Sequence, residues 1–195
     1  MGRPGRQRRR RHRRNRRAPG APHLPLPRRV APEQVRHGLC ATYDAAHVRA
    51  IHRPLFQDVY AWAGEYRTVE MFKWVGRGFA EFRGGEVERY LGDVHRLVAD
   101  TAWRKLDREQ FGERAATVFA YLNQAHPFRE GNGRTSKVFM EEVAEQSRFT
   151  LDFSRVAPDQ WNQASMLSRP DLLAYEPVPN SLVPVSGTSR SSARR

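Results

Sequence analysis

The chain has 195 residues, 39% of them hydrophobic, a formal net charge of +13 and one cysteine, Cys40. That length allows one domain with a sizeable core. A single cysteine excludes an internal disulfide, and no apolar stretch approaches the ~20 residues of a membrane span.

The charge is unevenly placed. Twelve of the 34 Lys and Arg lie in 1–29 and three in 186–195, two stretches without an acid; the other 19 stand against all 21 acids. The basic character therefore belongs to the tails. Residues 1–30 are expected to be a disordered basic tail, 31–184 a folded domain and 185–195 a disordered C-terminal tail. No apolar segment of secretory type follows the arginine run. The expected location is a reducing cytoplasm, with Cys40 structural.

The folded part begins with an amphipathic pattern. Val48, Ile51, Leu55, Val59 and Trp62 recur at steps of three and four, predicting a helix over 44–62 capped by Asp44. After Gly64, "YRTVEMFKW" and "FAEF" flank Gly76 and Gly78 and read as a β-hairpin. Val87, Leu91, Val94 and Val98 mark a second helix. Asp107 and Gln110 resemble a capping box ahead of a third, over 107–124, with Phe111, Ala115, Val118, Phe119 and Leu122 on its apolar stripe. A fourth helix is predicted over 134–147, a fifth from Pro158 at its first position, and a short one in "PDLLAYEP". The predicted class is mainly α with one hairpin. His47 and His52 lie five apart, off a shared helical face, and read as structural rather than metal ligands; His95 reads as exposed or capping. Trp62, Phe111, Phe119 and Trp161 occupy core-like positions.

"HPFREGNGRTSK", His126–Lys137, joins the third and fourth helices. A Gly-rich loop entering a helix N-terminus aims backbone N–H groups outward, and the helix dipole adds positive potential. Gly131 and Gly133 permit positive φ and close approach by a ligand. Arg134 and Lys137 share a face of the helix's first turns, and two cations there make sense around a multiply charged anion such as a triphosphate. Glu130 lies close to that anion, and a divalent cation such as Mg²⁺ would remove the repulsion. His126 is suited to taking a proton at neutral pH. Phe128 is expected to anchor the loop in the core. The stretch is neither a Walker loop nor a zinc site.

This stretch resembles the signature of the Fic (Fido) family, H-P-F-x-[D/E]-G-N-[G/K]-R-x-x-R, at every specified position except the last. "IHRPLFQDVYAWAGEYRTV" is similar to the family's helix-then-flap segment, and "YEPVPNSLV" to its C-terminal end. The resemblance implies a compact helical Fic-type catalytic domain over 31–184, with a hairpin flap. It implies a protein adenylyltransferase, a nucleotidyltransferase that moves AMP from ATP to a Tyr, Thr or Ser hydroxyl of a target protein and releases pyrophosphate. His126 would deprotonate the hydroxyl. Glu130 would hold Mg²⁺. Gly131, Asn132 and Gly133 would form an anion hole, with Asn132 also on the α-phosphate. Arg134 would bind the β-phosphate, and Lys137 stands where the family's second Arg meets the γ-phosphate. Lys73 and Trp74 of the flap would dock the target by strand addition.

Gly133 stands where the kinase-like Doc relatives carry Lys, which argues for AMP transfer. Many family members are blocked by a glutamate in [S/T]-x-x-x-E-[G/N]. No Ser or Thr in these 195 residues has Glu four positions later. A small antitoxin partner supplying that helix is therefore expected, as in toxin-type members. Two alternatives stay open: a Fic-fold enzyme transferring a phosphoryl or another nucleotidyl group, and a nucleic-acid-binding protein working through its arginine-rich tail.

Overall fold

A computed structural model of the chain describes residues 41–74, 77–183 and 188–190. The arginine-rich tail expected over 1–30 and Cys40 lie outside the described residues. Among the described residues five α-helices carry the fold: α1 Ala45–Phe56, α2 Glu86–Ala99, α3 Arg108–Ala125, α4 Asn132–Ala144 and α5 Pro158–Leu167. Two small antiparallel ribbons accompany them, β1 Phe72–Trp74 with β2 Arg77–Gly78, and β3 Phe149–Leu151 with β4 Thr188–Arg190. The mainly helical class read from the sequence holds. No helix among the described residues is long and apolar enough to cross a membrane.

The helix starts follow local chemistry. The Asp44 carboxylate accepts the His47 amide at 2.9 Å. The Asp107–Gln110 capping box forms in both directions, at 2.9 and 3.1 Å. Pro158 occupies the first turn of α5. Caps set where helices begin, but packing holds them together. α2 lies along α3, and both α3 and α1 pack on α4. Ile51, Leu91, Val94, Phe111, Leu122, Phe128 and Phe139 are all but fully buried between them, each worth about 1.5–3 kcal/mol over its exposed state. A buried contact between His47 Nε2 and the Glu142 carboxylate, at 2.7 Å, crosses from α1 to α4.

The structure corrects several predicted boundaries. α1 stops at Phe56, not 62, and Val59 is exposed. The chain turns because two amides, Val59 and Tyr60, share the Phe56 carbonyl. It then folds back onto its own helix: the Gly64 amide donates to His52 Nδ1 and Arg49 to the Gly64 carbonyl. α4 begins two residues before the predicted start and ends at Ala144. "PDLLAYEP" is not helical. Tyr90 donates to the Tyr175 carbonyl and stacks on its ring at 4.4 Å, pinning this segment to α2 in an irregular path. The first ribbon is shorter than the predicted hairpin, since Tyr66–Met71 and Phe79–Phe82 form no ladder. Thr188–Arg190, assigned from sequence to a disordered tail, instead pairs with Leu151–Phe149.

Candidate active site

His126 ends α3 in the left-handed conformation, at φ 40° and ψ 57°. Pro127 disfavours helical continuation there. A non-glycine residue in this region costs roughly 1–2 kcal/mol, so the surroundings must impose it. The His126 ring stacks on Phe79 at 3.6 Å and 13°. Its carbonyl accepts from Arg67 Nε at 2.9 Å, and the Pro127 carbonyl accepts from the Arg67 amide at 2.8 Å.

Arg67 has no exposed surface. Besides the His126 carbonyl, its guanidinium donates to the carbonyls of Val69 and Ala80 and lies 3.4 Å from Glu70. Glu70 in turn accepts the Phe82 and Arg83 amides, which hold its carboxyl below the usual carboxylate range. One buried cation therefore joins the base of the flap to the His126 backbone. β1 carries Lys73 and Trp74, the residues proposed for target docking, and the described apolar side chains beside them, Val69 and Phe72, are exposed.

The loop itself is tightly built. Phe128 is fully buried and stacks on His52 at 3.8 Å. The Asn132 side chain closes a ring with Phe128, accepting its amide at 2.9 Å and donating to its carbonyl at 2.7 Å. With its amide group engaged this way, Asn132 offers a ligand its backbone N–H, one of the first helical amides that lack an intrahelical acceptor. His52 bridges the chain's two turns: Nδ1 accepts the Gly64 amide, and Nε2 meets the Glu130 carbonyl at 3.1 Å. Burial keeps its pKa below the ordinary imidazole value, which preserves the neutral form this bridge needs.

The two glycines serve different ends. Gly131 has φ 84°, and a Cβ there would sit 2.3 Å from the tip of the buried Phe56 ring. The close neighbour is thus a core ring, not a ligand as expected from sequence. Around Gly133 a Cβ would meet nothing within 4 Å; that open space is what an approaching anion needs. Gly131→Ala is expected to destabilise the fold by about 2–4 kcal/mol, combining left-handed strain with the clash. Gly133→Ala should leave the melting temperature nearly unchanged and weaken nucleotide binding. Melting curves beside nucleotide titrations check both halves.

Glu130 is exposed, and its carboxylate accepts the Gly131 amide at 3.1 Å. The described residues contain no group of three or more His, Cys, Asp or Glu that could hold a metal by themselves. A single carboxylate fits Mg²⁺ only where phosphate oxygens and water complete the shell. Arg134 leans over Phe56 at 4.2 Å, and Lys137 lies against Phe153 and Trp161.

His126, a carboxylate and the first α4 amides thus follow one another along one loop, while the two cations of α4 rest on different rings. The Fic/DOC family model matches residues 42–144, from the approach to α1 to the end of α4. The chain belongs to the Fic/DOC family. It is 35% identical over 134 residues to the protein adenylyltransferase VbhT of Bartonella schoenbuchensis, covering 68% of this chain and 27% of that protein. The chain therefore spans about a quarter of that relative's length. Among solved structures it resembles the N-terminal Fic domain, with bound ADP, of a VirB-translocated effector from Bartonella quintana. The TM-score is 0.66 at 29% identity, covering 78% of this chain and 76% of that one. BepC of Bartonella tribocorum, with bound AMPPNP, also has a TM-score of 0.66, at 25% identity over 82% and 81%.

Sequence reasoning missed the residues that shape this Fic loop from outside it. Arg67 sits in a strand-like run where an arginine reads as solvent-facing, and His52 is structural as its spacing suggests, but nothing local marks its bridge to Glu130. Phe79 and Phe56 carried no signal beyond their hydrophobicity.

Proposed function

We propose that this Fic domain is a protein adenylyltransferase, transferring AMP from ATP to a Tyr, Thr or Ser hydroxyl of a target protein. The observation that carries this reading is one loop that leads from His126, at the end of α3, into the α4 N-terminus, with open space at Gly133. Relatives named adenylyltransferases and Fic domains holding ADP or AMPPNP support it. His126 takes the acceptor hydroxyl's proton as that oxygen attacks the α-phosphorus. The bond from the α-phosphorus to the oxygen bridging toward the β-phosphate breaks, and pyrophosphate leaves. The amides of Asn132 and Gly133 face the developing charge, and Arg134 holds the β-phosphate. Mg²⁺, when bound through Glu130, neutralises phosphate charge. Lys73 and Trp74 of the flap would dock the target by strand addition.

We further propose that a small partner supplies the inhibitory glutamate, making this the toxin of a toxin–antitoxin pair in the cytoplasm. Within these 195 residues no Ser or Thr has Glu four positions later.

Incubation of the chain in lysate with ATP labelled at the α-phosphate is expected to leave label on protein. Label transferred only from the γ-phosphate would indicate kinase chemistry instead. Excess chelator should abolish labelling and added Mg²⁺ restore it; full turnover in chelator would remove Glu130 from its metal role. Co-expression with a partner bearing S/T-x-x-x-E-G/N should suppress labelling in the same assay.

A further inference from the structure

Arg134 and Lys137 stand three residues apart on α4, yet their charges are drawn to different places. Arg134 rests over Phe56 of α1. The Lys137 ammonium lies 5.4 Å from the Phe153 ring and 5.5 Å from the Trp161 ring. The two rings meet edge-on at 5.1 Å, and Trp161 is fixed from behind by Phe119 of α3 at 4.7 Å. Phe153 opens a short 3₁₀ turn that Asp152 caps through the Ser154 amide. The notch around Lys137 is therefore assembled by three separate elements.

We propose that Phe153 and Trp161 are specificity-determining residues of the nucleotide site. They hold the Lys137 ammonium, so the site grips a nucleoside diphosphate moiety and gains little from a third phosphate. This rests on the nucleotide reading above. The physical reason is the shape of the cation. A guanidinium can keep its face on a ring while its edge N–H groups reach a phosphate. An ammonium is a compact point charge, and moving toward a terminal phosphate takes it off both rings. The attraction to the third phosphate is offset by the aromatic contacts it loses.

The expected result is that the chain binds ADP and a non-hydrolysable ATP analogue within about threefold of each other. Phe153→Leu removes one ring and should favour the ATP analogue over ADP by a further five- to tenfold, roughly the strength of one exposed-to-buried cation–π contact. Adding Lys137→Met to that variant should cancel the gain, which a merely structural effect of Phe153→Leu would not do. Lys137→Arg, which keeps both rings, is the second arm and should favour the ATP analogue as well. Calorimetric titration of the full chain with Mg²⁺ present reads all four forms without needing catalysis. A wild-type preference of tenfold or more for the ATP analogue overturns the proposal. So does a ratio unmoved by both Phe153→Leu and Lys137→Arg. Binding with an unmoved ratio sinks the aromatic notch alone, whereas no binding of either nucleotide sinks the nucleotide site with it.

Discussion

His126→Ala is expected to cut transfer of α-labelled AMP by about 10²–10⁴-fold, the usual worth of a positioned proton acceptor, while the domain stays folded. The ring is half-buried, and its contact with Phe79 contributes about 0.5–1.5 kcal/mol. That loss is modest against the several kcal/mol by which small domains are stable. The backbone supplies a second variant. At φ 40° alanine is no better suited than histidine, but asparagine tolerates the left-handed region well. His126→Asn should therefore melt above His126→Ala and be equally inactive. Labelling rates and melting curves for the two variants separate chemistry from stability. Undiminished labelling by either folded variant would remove His126 from the mechanism.

The second large effect is expected at Arg67. Arg67→Met keeps much of the side-chain volume but removes every guanidinium donor. The carbonyls of His126, Val69 and Ala80 then lose a charged partner inside the protein. Each buried acceptor left without a donor costs about 1–3 kcal/mol. A total of about 3–5 kcal/mol is expected, read as a fall in melting temperature of roughly 6–20 °C for a chain this size. Arg67→Lys should recover only a fraction, because one ammonium cannot span three divergent carbonyls. At temperatures where the variants stay folded, nucleotide binding should persist while AMP transfer drops, since the loosened group is the His126 backbone and not the phosphate cradle. A melting temperature within about 2 °C of wild type would show that Arg67 does not tie the flap to the catalytic loop.

How far the sequence alone reached depends on the range of the interactions involved. The Asp44 cap, the Asp107–Gln110 box, the Pro158 start and the helical stripe of Phe111–Leu122 were all legible. Each rests on contacts within one or two helical turns, so the residues that decide them sit side by side in the chain. The motif His126–Lys137 was legible for the same reason: base, carboxylate, glycines and cations fall within twelve consecutive residues. Its conformation was not. Arg67 reaches His126 across 59 positions, and His52 reaches Glu130 across 78. Nothing local marks either residue, because a buried arginine and a surface arginine share the same letter and differ only in what folds over them. The irregular path around Tyr175 and the pairing of Thr188–Arg190 with β3 were likewise set by distant partners. Gly131 was rightly read as a position for positive φ, but that the space beside it belongs to Phe56 is a fact of packing. So is the seat of Lys137 against Phe153 and Trp161. Sequence by itself determined which chemical groups this Fic loop carries and where its helices begin. Tertiary structure alone decided how each group is aimed, because orientation depends on long-range contacts among side chains that the chain keeps far apart.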